Sequence, residues 1–277
     1  MNTKLILIEG LPGSGKSTTA RLMQELLTAQ HIQNELFSEG DLNHPADFEG
    51  VAYYTPDDFK ELLTVNAEYA TVLKENTHSK ENGAFVSYQK MKERYQTNLP
   101  KDLYNKLAEN DIYELPLNIH IPLLINSWKE FVQQALKSNK TYIFECCFIQ
   151  NPITIGMIKY NASREIVSDY ILQLAKSIEP LNPLLIYVNQ ENLRASFEKA
   201  YRERDNSWSN GFIDYYTNQG YGKAHDYRGI EGTLKVLEAR KLLEKEIVNK
   251  LSLKKVIVDN SSYDLTQYRA LLEETLN

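Results

Sequence analysis

Cysteine is scarce in this sequence, and long hydrophobic runs are missing. The two cysteines, Cys146 and Cys147, are neighbours in an apolar stretch, which favours two reduced, buried thiols over a disulfide framework or a metal site. The apolar run before Glu9 is too short for a signal peptide. The longest uncharged stretch, residues 115–128, contains prolines and falls short of the ~20 residues needed to cross a bilayer. These absences predict a cytoplasmic protein without a membrane segment.

An excess of positive charge is also missing. The chain of 277 residues has a formal net charge of −6 at pH 7, which disfavours a general affinity for nucleic acid and favours a small-molecule partner. With 42% hydrophobic residues, a chain of this length can bury a full core. It shows no internal repeats, so residues 1–277 are predicted to form one domain. No oligomeric state follows from these features.

A glycine-rich motif, GLPGSGKST, occupies residues 10–18 and fits the pattern G-x-x-x-x-G-K-[ST]. Glycines allow successive backbone N–H groups to face one concavity, and a following helix adds its positive end, so the motif predicts a phosphate-binding loop. In such a loop the lysine reaches the outer phosphates and the hydroxyl of the next residue ligates Mg²⁺. The predicted nucleotide-binding residues are Gly10, Leu11, Pro12, Gly13, Ser14, Gly15, Lys16, Ser17 and Thr18.

Five short apolar segments read as strands and alternate with helical patterns. One of them directly precedes the glycine-rich motif, and a helical pattern over residues 16–30 directly follows it. This alternation predicts an α/β fold of three layers with a five-stranded, mostly parallel sheet. The predicted strands are residues 4–9, 34–41, 141–149, 183–189 and 254–260.

The segment between the second and third predicted strands is far longer than the usual loop of roughly 4 to 6 residues. One helix is predicted over residues 55–76, with Thr55 as N-cap, Pro56 at the first helical position and Asp58 as the capping-box partner. Another is predicted over residues 122–139. Residues 50–138 are therefore expected to form a helical insertion within the domain.

Acidic residues end two of the predicted strands, where ligands of open α/β sheets bind. Glu39 and Asp41 lie at the end of the second predicted strand, and either can accept a proton from a hydroxyl group, with Asp41 preferred. Glu145 closes the third strand, where a carboxylate suits Mg²⁺. The metal ligands are therefore predicted to be Ser17 and Glu145, while a substrate-binding role for Glu145 stays open.

Arginines follow the fourth predicted strand. Arg194, Arg202 and Arg204 are placed on a predicted helix that ends near a segment rich in Gly, Asn and Ser. They form either a solvated basic face or part of a mobile lid that brings an arginine to the transferring phosphoryl group. His44 and His225 also lie near these segments, but a lone histidine is more often structural than catalytic.

With this motif, these acids, the long insertion and the arginine-bearing segment, the chain resembles the P-loop kinases of the nucleoside and nucleotide kinase type. The resemblance implies an ATP- and Mg²⁺-dependent phosphotransferase in which the insertion and the second-strand acid hold a small-molecule or nucleoside-like acceptor. Carried onto this sequence, it implies Asp41 as the base, Lys16 and Ser17 as ligands of ATP and Mg²⁺, and Arg202 or Arg204 as the lid arginine. Most such proteins have aspartate where this chain has Glu145.

Other nucleotide-dependent functions fit the motif less well. A GTPase would carry an N-K-x-D motif, but the Asn-Lys pairs that begin at Asn105, Asn139 and Asn249 lack the aspartate. A mechanical ATPase or a nucleotide-dependent interaction module needs only the loop and Glu145, so it remains an alternative. A polynucleotide 5′-kinase is a third candidate, and the acidic balance weakens it.

Overall fold

The computed structural model describes residues 2–262 and 264–276. It consists of two compact units, one formed by residues 1–39 and 128–277 and the other by residues 40–127. The strands are β1 Leu5–Gly10, β2 Asn34–Phe37, β3 Ala52–Tyr54, β4 Thr77–Lys80, β5 Gly83–Val86, β6 Thr141–Glu145, β7 Leu184–Asn189 and β8 Lys254–Asp259.

Helices surround and connect these strands, and short 3₁₀ turns and one π-helical segment, Thr154–Lys159, join several of them. The helices are α1 Lys16–Ala29, α2 Pro56–Val65, α3 Ala70–Glu75, α4 Tyr88–Tyr95, α5 Lys101–Ala108, α6 Leu117–Leu136, α7 Gln150–Ile153, α8 Arg164–Ile178, α9 Leu193–Glu203, α10 Asn206–Asn218, α11 Gly220–Ala224, α12 Gly229–Lys250 and α13 Leu265–Leu276.

The first unit is built on a five-stranded sheet with the order β2-β6-β1-β7-β8. All of its pairings are parallel. The predicted α/β class and the five predicted strands are therefore confirmed, and the sheet is wholly rather than mostly parallel. Because the strands are parallel, their carboxyl ends all lie on the same side of the sheet. The glycine-rich loop that follows β1 therefore lies next to the carboxyl end of the neighbouring strand β6.

Both faces of this sheet are covered by helices, as a parallel sheet requires. On one face, Ile6 and Ile8 of β1 pack with Met23 and Leu27 of α1 in a core in which these side chains are fully buried. On the other face, Phe144 of β6 contacts the rings of Trp128 and Phe131 from α6 at centroid distances of 5.7 and 4.7 Å. Full burial of each large apolar side chain contributes about 1.5–3 kcal/mol.

The second unit contains strands that the sequence analysis did not predict. Here β3, β5 and β4 form an antiparallel sheet in that order. The helix expected from Thr55 begins there, with Asp58 N–H donating to Thr55 Oγ1 at 3.2 Å. It ends earlier than expected, at Val65, before a 3₁₀ turn and α3. The segment predicted to be a helical insertion therefore mixes helices with a small sheet.

The helix expected over residues 122–139 begins earlier in the structure, because α6 starts at Leu117 and includes Pro122. The sequence pattern placed Pro122 in the first turn, where proline is tolerated because the first N–H groups of a helix have no intrahelical acceptor. In the structure, Pro122 instead follows a full turn of helix. Within the described residues, no helix combines the length and apolar character needed to cross a membrane.

Candidate functional site

The loop between β1 and α1 has the backbone shape of an anion cradle. Gly15 has a φ of 98° and is the N-cap of α1, so no side chain caps the first turn of that helix. A Cβ atom at Gly15 would lie 2.4 Å from the Asn260 side-chain nitrogen, and one at Gly10 would lie 2.5 Å from the Val188 carbonyl oxygen. The two positions therefore need glycine, and the loop leaves the helix N-terminus open to a negatively charged group.

Side chains behind the loop hold it in place. The Ser14 carbonyl oxygen accepts hydrogen bonds from the Asn260 side-chain amide at 2.9 Å and from the Gln190 amide at 3.3 Å. The Thr19 hydroxyl donates to the Gly15 carbonyl oxygen at 2.9 Å and lies 2.8 Å from the Tyr268 hydroxyl. The loop is thus tied to the ends of β7 and β8 and to α13 before any ligand binds.

Lys16 is buried, and its Nζ donates to the Leu11 carbonyl oxygen at 3.0 Å. Burial lowers the pKa of Lys16, but the electrostatic effect of the acidic groups around it, Glu39 and Glu9 among them, raises it, and the net direction is upward. The lysine therefore carries a positive charge at neutral pH inside the loop. A fixed buried cation at this position suits the outer phosphates of a nucleotide.

Ser17 and Glu145 meet at the carboxyl end of β6. The Ser17 hydroxyl donates to Glu145 Oε1 at 2.5 Å, and Glu145 is buried. A carboxylate and a hydroxyl are both hard oxygen donors, the type that Mg²⁺ prefers. The two residues predicted as metal ligands from the sequence thus lie in hydrogen-bond contact.

Glu39 joins the same group, because it follows β2, the neighbour of β6 in the sheet. Glu39 Oε1 accepts a 2.6 Å hydrogen bond from Gln150 Nε2, and Glu39 Oε2 lies 3.5 Å from Cys146 Sγ. One ligand atom from each of Glu39, Glu145 and Cys146 falls within 4.8 Å of the others. Burial raises the pKa of the Cys146 thiol well above its usual value, so Cys146 is a neutral thiol at pH 7.

A cavity of about 620 Å³ connects these residues. Its walls include the loop with Lys16 and Ser17, the two carboxylates, the amide of Gln150, and residues of α9 and α10. The volume lies within the ~300–1,000 Å³ of typical small-molecule sites. The cavity can therefore hold a nucleotide's phosphates together with a small second ligand.

The two candidate lid arginines lie in different places. Arg204 lines the cavity, whereas Arg202 lies on α9 and lines a separate depression with Glu191 and Asn192. Arg204 is not helical, since α9 ends at Glu203 and Arg204 is extended before α10 begins. Arg194 forms a paired hydrogen bond with Glu231 at 2.8 and 2.7 Å on the protein surface, so it belongs to a surface ion pair.

Aromatic rings of α10 form a column beside the cavity. The Arg204 guanidinium lies 4.3 Å from the ring centroid of Trp208. Trp208 stacks on Phe212 at 5.0 Å, and Phe212 stacks on Tyr216 at 4.1 Å. A cation–π contact of this kind contributes about 0.5–2 kcal/mol, so the column sets the position of Arg204.

The column ends at a buried ion pair. The Tyr216 hydroxyl accepts a 2.7 Å hydrogen bond from Arg240, which also pairs with Glu244 at 2.6 Å; both members of this pair are fully buried. Arg240 further donates to Thr154 Oγ1 at 3.1 Å and to the Gln150 carbonyl oxygen at 3.5 Å. The guanidinium thus joins α10, α12 and the segment that carries Gln150.

Glu9, the last side chain before the loop, faces the turn that follows β6. Its carboxylate accepts the backbone N–H of Phe148 at 2.7 Å and of Gln150 at 2.9 Å. Burial raises the pKa of Glu9 to about 7, against the lowering effect of these N–H groups and of Lys16. Glu9 thereby fixes the turn that presents Gln150.

Asp41 lies in the second unit, where its carboxylate accepts the Asn43 N–H at 2.8 Å in a turn. His44 is in the same turn, and its Nδ1 accepts the N–H groups of Ala46 and Asp47 at 3.2 and 2.8 Å. Burial lowers the pKa of His44, as expected of a neutral capping histidine. His225 Nδ1 contacts the Tyr221 carbonyl oxygen at 2.8 Å. Each of these side chains thus has a local structural partner.

Sequence reasoning missed several residues of this site. Gln150, Asn260 and Arg240 belong to no motif and come from distant parts of the chain. Trp208, Phe212 and Tyr216 left a usable signal, because aromatic residues four apart share one face of a helix. The polar residues between them favoured an irregular lid segment instead.

Comparison with known proteins adds no assignment, because no protein-family model and no curated protein matches this chain.

Proposed function

We propose that this protein is a P-loop kinase that transfers the γ-phosphate of ATP to a hydroxyl group of a small molecule. The observation that carries the proposal is that one cavity is lined by the glycine-rich loop, by two carboxylates, Glu39 and Glu145, and by Arg204. Phosphoryl transfer needs groups of these kinds, since it depends on positioning and on charge stabilisation around the transferred group.

The loop residues would hold the nucleotide. The open N-terminus of α1 and the buried Lys16 fit a polyphosphate chain, and Ser17 with Glu145 fits Mg²⁺. When bound, Mg²⁺ would neutralise charge on the phosphate oxygens. The wholly parallel sheet, with the loop after β1, also supports the three-layer P-loop architecture.

Glu39 is the carboxylate that we place at the acceptor. Its Oε1 is oriented by Gln150, and it can accept the proton of a hydroxyl group as that oxygen attacks the γ-phosphorus. The new bond joins the acceptor oxygen to phosphorus, the bond to the bridging oxygen of ADP breaks, and the hydroxyl proton passes to Glu39. Asp41, the base implied by the family resemblance, remains the rival in this role.

Arg204 would approach the transferring phosphoryl group. A charged guanidinium at this point can be worth ~10³ to 10⁵ in rate. The insertion predicted over residues 50–138 would contribute to acceptor binding, as the resemblance implies. A cytoplasmic location belongs to the same proposal and agrees with the two buried thiols of Cys146 and Cys147.

The test is calorimetry with ATP·Mg²⁺, followed by a screen of metabolites for acceptor-dependent ADP release. Lys16→Ala should abolish turnover because it removes the buried charge at the outer phosphates, whereas Lys137→Ala, at an exposed position, should change nothing. Absence of ATP·Mg²⁺ binding by the folded wild-type protein would refute the proposal. Hydrolysis that responds only to a protein or nucleic-acid partner would favour an ATPase or a polynucleotide kinase instead.

A further inference from the structure

Gln150 is a polar side chain of the cavity that has a buried atom without a hydrogen-bond partner among the described residues. It is 8% exposed and lines the cavity at the start of α7. Its Nε2 donates to Glu39 Oε1, while its Oε1 is buried and has no hydrogen-bond partner among the described residues. An unsatisfied buried acceptor is costly, and such groups in native proteins call for an explanation, a functional role included.

The orientation of this amide follows from its neighbour. An ionised carboxylate only accepts hydrogen bonds, so the group that faces Glu39 must be the amide N–H of Gln150. The oxygen is therefore the atom left without a partner. A ligand that completes the site must supply an O–H or N–H donor.

Three contacts fix the backbone from which Gln150 extends. Its N–H donates to Glu9 at 2.9 Å, and its carbonyl oxygen accepts from Thr154 Oγ1 at 2.7 Å and from Arg240 at 3.5 Å. The amide is thus held beside Glu39 by groups buried in the protein. Such support is what a recognition residue needs to discriminate between ligands.

We infer that Gln150 selects the phosphoryl acceptor, and that this acceptor is a small polyol or amino alcohol with a second hydrogen-bond donor on the carbon next to the reacting hydroxyl. This inference rests on the kinase function proposed above. The reacting hydroxyl donates to Glu39, and the neighbouring O–H or N–H donates to Gln150 Oε1. One amide group and one hydrogen bond separate the two acceptor atoms, so donors on adjacent carbons can reach both.

The rest of the cavity agrees with a compact, partly apolar acceptor. Phe212 and Tyr216 line it together with Thr154, so a carbon skeleton can pack against aromatic rings while its donors face the polar groups. A site built around paired acceptors discriminates strongly against ligands that lack a donor, because an acceptor atom then stays buried and unpaired.

The test measures binding to the full chain saturated with ADP and Mg²⁺. The probes are matched pairs in which the second member lacks the donor on the adjacent carbon: uridine with 2′-deoxyuridine, glycerol with 1,3-propanediol, and ethanolamine with 1-propanol. Calorimetry gives the affinities. Fluorescence of Trp208 reports cavity occupancy, since the other tryptophan, Trp128, is fully buried in the core.

We expect at least one probe that has both donors to bind about 10- to 100-fold more tightly than its analogue that lacks the second donor. Gln150→Met should remove this difference by weakening the binding of the probe with both donors. Gln134→Met, at an exposed position of α6, should preserve the difference. If Gln150→Met does not fold, Gln150→Asn, which withdraws the oxygen, is held to the same criterion.

A wild-type protein that separates none of the pairs, or a preference that survives in the Gln150 variant, overturns the inference. ATP·Mg²⁺ binding is measured on the same samples. If the probes are not separated but ATP·Mg²⁺ binds normally, the role of Gln150 is refuted and the proposed kinase function stands. If ATP·Mg²⁺ does not bind, the proposed kinase function itself is refuted.

Discussion

Ser17 and Glu145 lie 128 positions apart in the chain, yet the hydroxyl of one donates to the carboxylate of the other at 2.5 Å. Ser17 lies in the first turn of α1 and Glu145 closes β6, so the contact exists because β1 and β6 are neighbours in the parallel sheet. It places the end of the glycine-rich loop beside a buried carboxylate. A divalent cation on a nucleotide phosphate can take both groups as ligands, either directly or through water.

Glu145→Gln should therefore weaken the response to Mg²⁺. The amide keeps the shape of the side chain and can accept from Ser17, but it lacks the negative charge. We expect the Mg²⁺ concentration for half-maximal ATP binding to rise about 10- to 100-fold, measured by calorimetry at fixed ATP. An unchanged Mg²⁺ dependence would assign Glu145 to the substrate or to structure alone.

Glu39→Gln and Asp41→Asn should differ in their effect on turnover. If Glu39 takes the acceptor proton, Glu39→Gln lowers kcat by the ~10² to 10⁴ typical of a lost general base, with ATP affinity nearly unchanged. Asp41→Asn then acts only through the turn in which Asp41 bonds to Asn43. The opposite result would make Asp41 the base. Equal small effects would mean that positioning and charge carry the reaction, which the loose transition state of phosphoryl transfer permits.

Arg204→Ala should lower kcat by at least ~10³, more than it weakens ATP binding, whereas Arg202→Ala should leave both near the wild-type values. The reason is position, because Arg204 lines the cavity and Arg202 does not. Trp208→Leu removes the ring on which Arg204 rests and should give an intermediate loss in kcat. A larger loss in Arg202→Ala than in Arg204→Ala would contradict this assignment.

The parts of the fold that follow local rules could be predicted from the sequence. Strand β1, the loop and α1 form a contiguous motif with its own backbone requirements, and the Thr55 cap of α2 depends on neighbours three residues away. The small sheet in the second unit could not be predicted, because its pairings join short strands whose residues, such as those of β4, are largely polar.

The candidate site could likewise be predicted only where local sequence rules or sheet topology position its residues. Lys16, Ser17 and Glu145 stand at strand and loop ends, so parallel-sheet topology alone brings them together. Gln150 owes its place to Glu9 and Arg240, which lie 141 and 90 positions away, and no local pattern encodes such contacts. Arg204 was placed on a helix that in fact ends one residue earlier, a boundary that side-chain spacing does not resolve.

Glu9 should make stability depend on pH. Its pKa is about 7 in the folded protein against 4.5 for an unperturbed glutamate, so the folded state binds more protons between these values. The contribution of Glu9 to the free energy of unfolding is fully present below pH 4.5 and is lost as the pH rises through 7. The total loss is about 3 kcal/mol.

The pH effect is measured by urea unfolding at pH 5 and pH 7.5. Glu9→Gln should remove this part of the pH dependence while lowering stability overall, because its –NH₂ would face one of the two backbone N–H donors. Glu238→Gln, an exposed exchange on α12, controls for the loss of a charge. An equal pH slope in wild type and Glu9→Gln would show that Glu9 is not the titrating group.

Arg240 and Glu244 should be far more costly to remove singly than together. Both are fully buried, and Glu244 also accepts the Tyr187 hydroxyl at 2.6 Å. Arg240→Met leaves a buried carboxylate without its cation, so unfolding free energy should fall by about 3–5 kcal/mol, and the double variant Arg240→Met/Glu244→Leu should recover much of it. Chemical denaturation of wild type, the two single variants and the double variant in a double-mutant cycle measures the coupling free energy between Arg240 and Glu244.

The ion pair should also affect catalysis, because Arg240 donates hydrogen bonds to the Tyr216 hydroxyl and to the Gln150 carbonyl oxygen. The double variant should therefore still bind ATP·Mg²⁺ but have a lower kcat. Full activity in that variant would limit the ion pair to a structural role.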